Sequence, residues 1–184
     1  MKIVVAITGA SGAIYAHRLI TKLNKNQEIE KIAVVFSKTA LKIYNSENLP
    51  EIKESDKISL YDNDNFYVPI ASGSCSYNSM IICPCSCGTL GRIANGISDS
   101  LITRAADVFL KERRKLIVVL RENPLSIIHI QNMEKITLAG GIVSLANPSF
   151  YSNPKNITDL VDTVVDRLLS LLNINNNSFR WQEN

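Results

Sequence analysis

Five short runs of aliphatic and β-branched residues, at positions 2–7, 31–36, 79–83, 115–120 and 141–145, alternate with stretches of helical apolar spacing, and this alternation limits the fold most. The intervening patterns predict helices over 12–24, 38–45, roughly 88–111, 126–139 and 158–172. Strand, helix and strand in succession require right-handed crossovers and therefore a mostly parallel sheet covered on both faces. A length of 184 residues suits one core. The expected fold class is a single Rossmann-like (flavodoxin-like) three-layer α/β domain over residues 1–172, with ligands at the carboxyl ends of the strands. The polar stretch 46–78, broken by Pro50, Asp62-Asn63-Asp64 and Pro69, is long for a plain connection and predicts an edge strand plus a loop near the site. Residues 173–184 read as a polar tail for which disorder is expected, or else as a segment whose single tryptophan, Trp181, docks on a neighbouring subunit.

Charge and cysteine content exclude several classes of function. Twenty Lys+Arg against seventeen Asp+Glu leave +3, and no run of five or six basic residues marks a nucleic-acid or anionic-membrane surface. Lys111-Glu112-Arg113-Arg114-Lys115 reads as a solvated helix end. Cys75, Cys83, Cys85 and Cys87 lie within thirteen positions, and the chain opens directly on a strand without a leader, so a reduced, cytoplasmic protein is expected. No metal site is expected either, because C-x-C-x-C lacks a second ligand pair and His17 and His129 fall in unrelated segments. No apolar stretch approaches the ~20 residues of a membrane helix.

Two strand ends are built to hold a ligand. Residues 2–7 stop at Thr8-Gly9-Ala10-Ser11-Gly12-Ala13, and the run 79–83 leads into Cys83-Pro84-Cys85-Ser86-Cys87-Gly88-Thr89-Leu90. A strand, a loop of small residues and a helix together expose unpaired first-turn amides, which attract anions. The first loop has only G-x-x-G, and the second strand ends in Phe36-Ser37 where a dinucleotide site would carry a carboxylate for the ribose. A serine there can donate to a phosphate oxygen, so a mononucleotide phosphate fits better than NAD. A P-loop is absent. Asp159, Asp162 and Asp166 share one helical face at the spacing of a magnesium-diphosphate motif, but a solvated face opposite Leu160, Val164, Leu168 and Leu171 is the expected reading. Arg121-Glu122 and Tyr151 follow later strands and supply a phosphate ligand, a proton-transfer carboxylate and a hydroxyl donor.

The segments T-G-A-S-G-A (8–13), A-S-G-S (71–74), C-P-C-S-x-G-T-L (83–90), L-I-T-R-A-A-D-V-x-L-K-E-R-R (101–114), R-E-x-P-L-S (121–126) and N-P-x-F-Y (147–151) resemble, in order, those of the UbiX family of flavin prenyltransferases. That resemblance implies transfer of the dimethylallyl group of dimethylallyl phosphate to N5 and C6 of reduced FMN, without a metal, to give prenylated FMN for a UbiD-type decarboxylase. It also implies a large homo-oligomer (homo-dodecamer) with sites at subunit contacts. Carried over by motif, Gly9, Ala10 and Ser11 contact the flavin, Ser37 its phosphate, Ser86, Cys87, Gly88 and Thr89 the phosphate or flavin edge, and Arg121 the ring. Lys111, Tyr151 and Arg167 take the donor phosphate, with Arg104 across a subunit contact. Ser11, Glu47, Lys111 and Glu122 form the expected catalytic set, the two glutamates moving protons or stabilising the carbocation. Cys75 and Cys87 depart from the small residues usual in the family, which matters little where backbone amides make the contacts. Two other readings stand beside this one: an FMN-dependent cysteine-type decarboxylase, which would need a differently placed histidine and a P-A-S-A-N-T segment, and an FMN carrier without catalysis.

Overall fold

A computed structural model describes residues 1–176, 179 and 182. Six strands form one all-parallel sheet: β1 (Lys2–Ile7), β2 (Lys31–Phe36), β3 (Ile58–Asp62), β4 (Ser79–Cys85), β5 (Lys115–Leu120) and β6 (Ile142–Leu145). Their order is β3-β2-β1-β4-β5-β6, so the winding reverses between β1 and β4. At that reversal the connections leave in opposite directions and open a crevice at the carboxyl edge. Helices α1 (Ala13–Lys25), α2 (Lys38–Ser46) and α6 (Ile157–Leu171) cover one face. A short 3-10 turn (Pro69–Ala71), α3 (Cys87–Ala94), α4 (Leu101–Lys111) and α5 (Ile127–Leu138) cover the other.

The strands read as continuous apolar runs because both faces are buried. Ile3, Val5, Ile7, Ile32, Val34, Ile81, Ile117 and Val119 point into the layer of α1, α2 and α6, while Val4, Ala6, Val35, Met80, Ile82, Leu116 and Val118 point into the other. Strand β4 runs two residues beyond its expected end. Pro84 has no N–H for the ladder, the register shifts between Ile82 and Cys85, and the extra residue turns Cys85 to the same face as Ile82. Cys83 and Cys85 are therefore fully buried strand residues, and the loop starts at Ser86.

The single helix expected over 88–111 is two. Asn95 ends α3, Gly96 follows at φ 69, and Ser100 starts α4 with a reciprocal cap to Thr103. The edge strand expected within 46–78 is β3. The start of the tail is packed, contrary to the expected disorder: Ile174 is 3% exposed, and its amide donates to the Leu169 carbonyl. Trp181 lies outside the described residues.

Candidate active site

Thr8 ties the two central loops together. It is 1% exposed, donates its hydroxyl to the Pro84 carbonyl at 2.9 Å and accepts the Ser86 amide at 2.8 Å. The end of β1 and the start of α3 are thereby held side by side at the reversal. Gly9 permits a second close approach, because a Cβ there would stand 2.8 Å from Thr39 Cγ2 and 2.9 Å from Thr39 Cβ in the first turn of α2.

Three helix N-termini meet at this edge. Ser37 caps α2 by accepting the Ala40 amide, and Ser86 caps α3 by accepting the Thr89 amide; neither first turn contains an acidic residue. Helix geometry leaves the amides of Lys38 and Thr39, and of Cys87 and Gly88, without intrahelical partners, so both ends suit an anion. The first loop differs from its expected role as an open anion cradle. Glu47, at the end of α2, accepts from the Gly12 amide at 2.7 Å, the Ile14 amide at 3.2 Å and the Ser11 hydroxyl at 3.3 Å. A carboxylate of the chain thus occupies the positive end of α1.

Arg121 and Glu122 leave β5 on the other side of the crevice, where the Arg121 amide donates to the Cys85 carbonyl. Burial, and then the neighbouring Glu122 carboxylate, push the Cys87 thiol up. Glu122 therefore stands beside the first turn of α3. Tyr15, which had no expected role, folds its ring over Gly12 and is half-buried; burial and Cys83 push its phenol up while Arg121 opposes them. No motif in the sequence singles out Tyr15, which reaches the loop because it lies one helical turn past Gly12.

The remaining candidates fall elsewhere in the chain. Tyr151 is 70% exposed in the loop after β6, where Pro148, Ser149, Phe150 and Tyr151 line a cavity of about 510 Å³ among the described residues. The Ser149 amide donates to Thr163 Oγ1 at 3.0 Å, and Arg167 lies one turn farther along the same face of α6. The loop is thereby pinned to α6 at Ser149, two residues before Tyr151 and one helical turn from Arg167. Lys111 is not brought to the crevice: α4 starts beside Asn63 at the carboxyl edge and ends at Lys111, next to Gly73 and the amino edge. There Lys111 pairs with Glu112 at 2.8 Å. Arg104, in the first turn of α4, donates to the Ala71 carbonyl and pairs with Asp107. The aspartate face of α6 is not solvated as expected; Asp162 and Asp166 pair with Arg18 and Lys22 of α1. Among the described residues no three His, Cys, Asp or Glu side chains gather as metal ligands.

The flavoprotein family profile matches residues 1–169. A flavin prenyltransferase UbiX from Methanocaldococcus jannaschii is 46% identical over 184 residues, covering 98% of each chain. The chain belongs to the UbiX flavin prenyltransferase family. Among solved structures of UbiX proteins, AnUbiX in complex with FMN and dimethylallyl pyrophosphate superposes with a TM-score of 0.89 at 36% identity, covering 98% of each chain. The dodecameric FMN-dependent UbiX-like decarboxylase of Escherichia coli O157:H7 gives a TM-score of 0.92 at 36% identity over 99% of this chain and 100% of its own. In this UbiX family member the crevice lies at the sheet reversal, the loop bearing Tyr151 is pinned to α6 at Thr163, and Lys111 stands at the opposite edge.

Proposed function

We propose that this UbiX enzyme transfers the dimethylallyl group of dimethylallyl phosphate to N5 and C6 of reduced FMN, without a metal ion, and yields prenylated FMN for a UbiD-type decarboxylase. The observation that carries the reading is the meeting of two acid-free helix N-termini with Arg121 and Glu122 at the sheet reversal, beside loops of Gly, Ala, Ser and Thr. That edge suits a phosphorylated planar ligand. Ser37 and the first-turn amides of α2 would hold the FMN phosphate; Gly9, Ala10 and Ser11, with Ser86, Cys87, Gly88 and Thr89, would flank the ring, and Arg121 would lie against it. Bound reduced FMN supplies the nucleophilic N5 and C6.

The chain's own residues do the rest. Positive and hydroxyl groups at Arg167, Tyr151, Lys111 and Arg104 would bind the donor phosphate and stabilise the charge it gains as its bond to the allylic carbon breaks. Glu122, beside the crevice, would stabilise the allylic cation and take up a proton on ring closure. Glu47 fixes Ser11 and the start of α1 through its three hydrogen bonds, so it would orient Ser11 in place of the proton transfer or cation stabilisation expected of it. Because Lys111 sits at the far edge of its own chain, we infer a homo-oligomer in which one copy supplies Lys111 and Arg104 to the crevice of another. The dodecameric relative supports such an assembly. No described helix is long and apolar enough to cross a membrane.

Anaerobic incubation of the purified protein with reduced FMN and dimethylallyl phosphate tests the reading. A flavin whose mass rises by one dimethylallyl unit in place of a hydrogen is expected, also after chelation of divalent ions. Bound but unmodified FMN would instead indicate a carrier. The AnUbiX complex holds the pyrophosphate, so both donors are compared; turnover with the pyrophosphate alone would overturn the assigned donor.

A further inference from the structure

Helix α6 rests on α1 through four charged side chains separated by 144 positions in sequence. Arg18 Nε and Nη2 donate to the two oxygens of Asp162 at 2.9 and 2.6 Å, and Lys22 Nζ lies 3.1 Å from Asp162 and 2.5 Å from Asp166. Arg18 and Lys22 are four apart on their helix, and so are Asp162 and Asp166 on theirs. The two rows therefore match at one relative register. All four side chains are only 20–28% exposed, so water and salt screen them less than surface pairs.

The position of this cluster gives it a consequence beyond stability. Arg18 lies six residues after Gly12, about 9 Å along the axis from the flavin loop. On the other helix, Asp162 is followed at once by Thr163, which holds the Ser149 amide in the loop bearing Tyr151, and Arg167 comes one turn later. The apolar contacts of Val161, Val164, Val165 and Leu168 hold α6 against its neighbours. Hydrophobic burial is non-directional and tolerates small slides or rotations, whereas a two-oxygen guanidinium fork does not.

We propose that Arg18, Lys22, Asp162 and Asp166 are positioning residues that fix where α6 presents Tyr151 and Arg167 relative to the flavin loops of α1, and so set the affinity for the prenyl donor. This rests on the prenyl-transfer reading above. Their effect on flavin binding is small, because the loops of β1, α2 and α3 are held by Thr8, Ser37 and Ser86, not by α6.

The test compares wild type, Asp162→Asn and the charge exchange Arg18→Asp with Asp162→Arg, using reduced FMN and dimethylallyl phosphate, with FMN affinity measured separately by fluorescence titration. Asp162→Asn is expected to raise the donor KM about tenfold, with kcat and FMN affinity each within about twofold of wild type. The charge exchange is expected to return KM most of the way, which a bare loss of packing would not allow. An unchanged donor KM in Asp162→Asn overturns the proposal. So does a parallel loss of FMN affinity, or a charge exchange no better than the single variant. A wild-type protein that does not prenylate FMN overturns the functional reading and this inference with it; an active wild type beside an unaffected variant overturns only the inference.

Discussion

Thr8 shows how much one hydroxyl can decide in this enzyme. It is the buried donor and acceptor between the two loops that form the crevice. Thr8→Val keeps the shape but leaves the Ser86 amide without its acceptor, so a loss of about 1–3 kcal/mol is expected in urea denaturation, with weakened FMN binding. The sequence marks Thr8 only as a loop residue, since a threonine at a strand end has no spacing partner to single it out. Glu122 is the opposite case, marked as a candidate in the sequence by its place after a strand. Glu122→Gln is expected to retain FMN while slowing prenyl transfer by about 10²-fold in anaerobic turnover; normal turnover would remove Glu122 from the mechanism.

At the scale of elements, the strands and most helices were legible because period and capping residues act locally. The two misjudged boundaries were at Pro84 and Asn95-Gly96. Pro84 continues β4 because the neighbouring strands on both sides bury it, and the lost ladder bond is absorbed as a register shift. Asn95 and Gly96 end a helix because Ser100 caps the next one, although apolar periodicity runs through both. Element packing also fixes Gly9. Gly9→Ala would press a methyl against the side chain of Thr39, and since Thr39 Cβ itself is too close, α2 must move. We expect a stability loss of about 1–3 kcal/mol in thermal or urea unfolding and a raised Kd for FMN, because Ser37 moves with α2.

Over the whole molecule, contacts distant in sequence assign the charged residues their roles. Burial pushes the Asp162 carboxyl up, but hydrogen bonds from Arg18 and Lys22 and their charges outweigh it and hold the group below its ordinary value of 3.8. A depressed folded-state pKa contributes stability above the unfolded value, and this is lost as pH falls through the folded one. The stability gap between wild type and Asp162→Asn in urea is therefore expected to be full above about pH 5 and to narrow below 3.8. A gap independent of pH would show that the charge of Asp162 is not what stabilises the helix pair. Assembly gives a second test. Lys111→Ala and Glu122→Gln are each expected to be nearly inactive, and co-expression of the two should restore about a quarter of wild-type turnover if each site draws the two residues from different copies. Absence of recovery would place both residues in one chain's site.

What the sequence by itself determined was the alternating α/β order, the two glycine- and serine-rich strand ends and the residue types suited to a phosphorylated ligand, because each depends on neighbours a few positions away. Tertiary structure alone decided that Glu47 fills the start of α1, that Asp162 and Asp166 clasp α1, and that Lys111 stands at the far edge of the sheet. Those outcomes depend on groups separated by 35 and 144 positions, or on the direction in which a helix crosses the sheet. Local spacing carries no record of either.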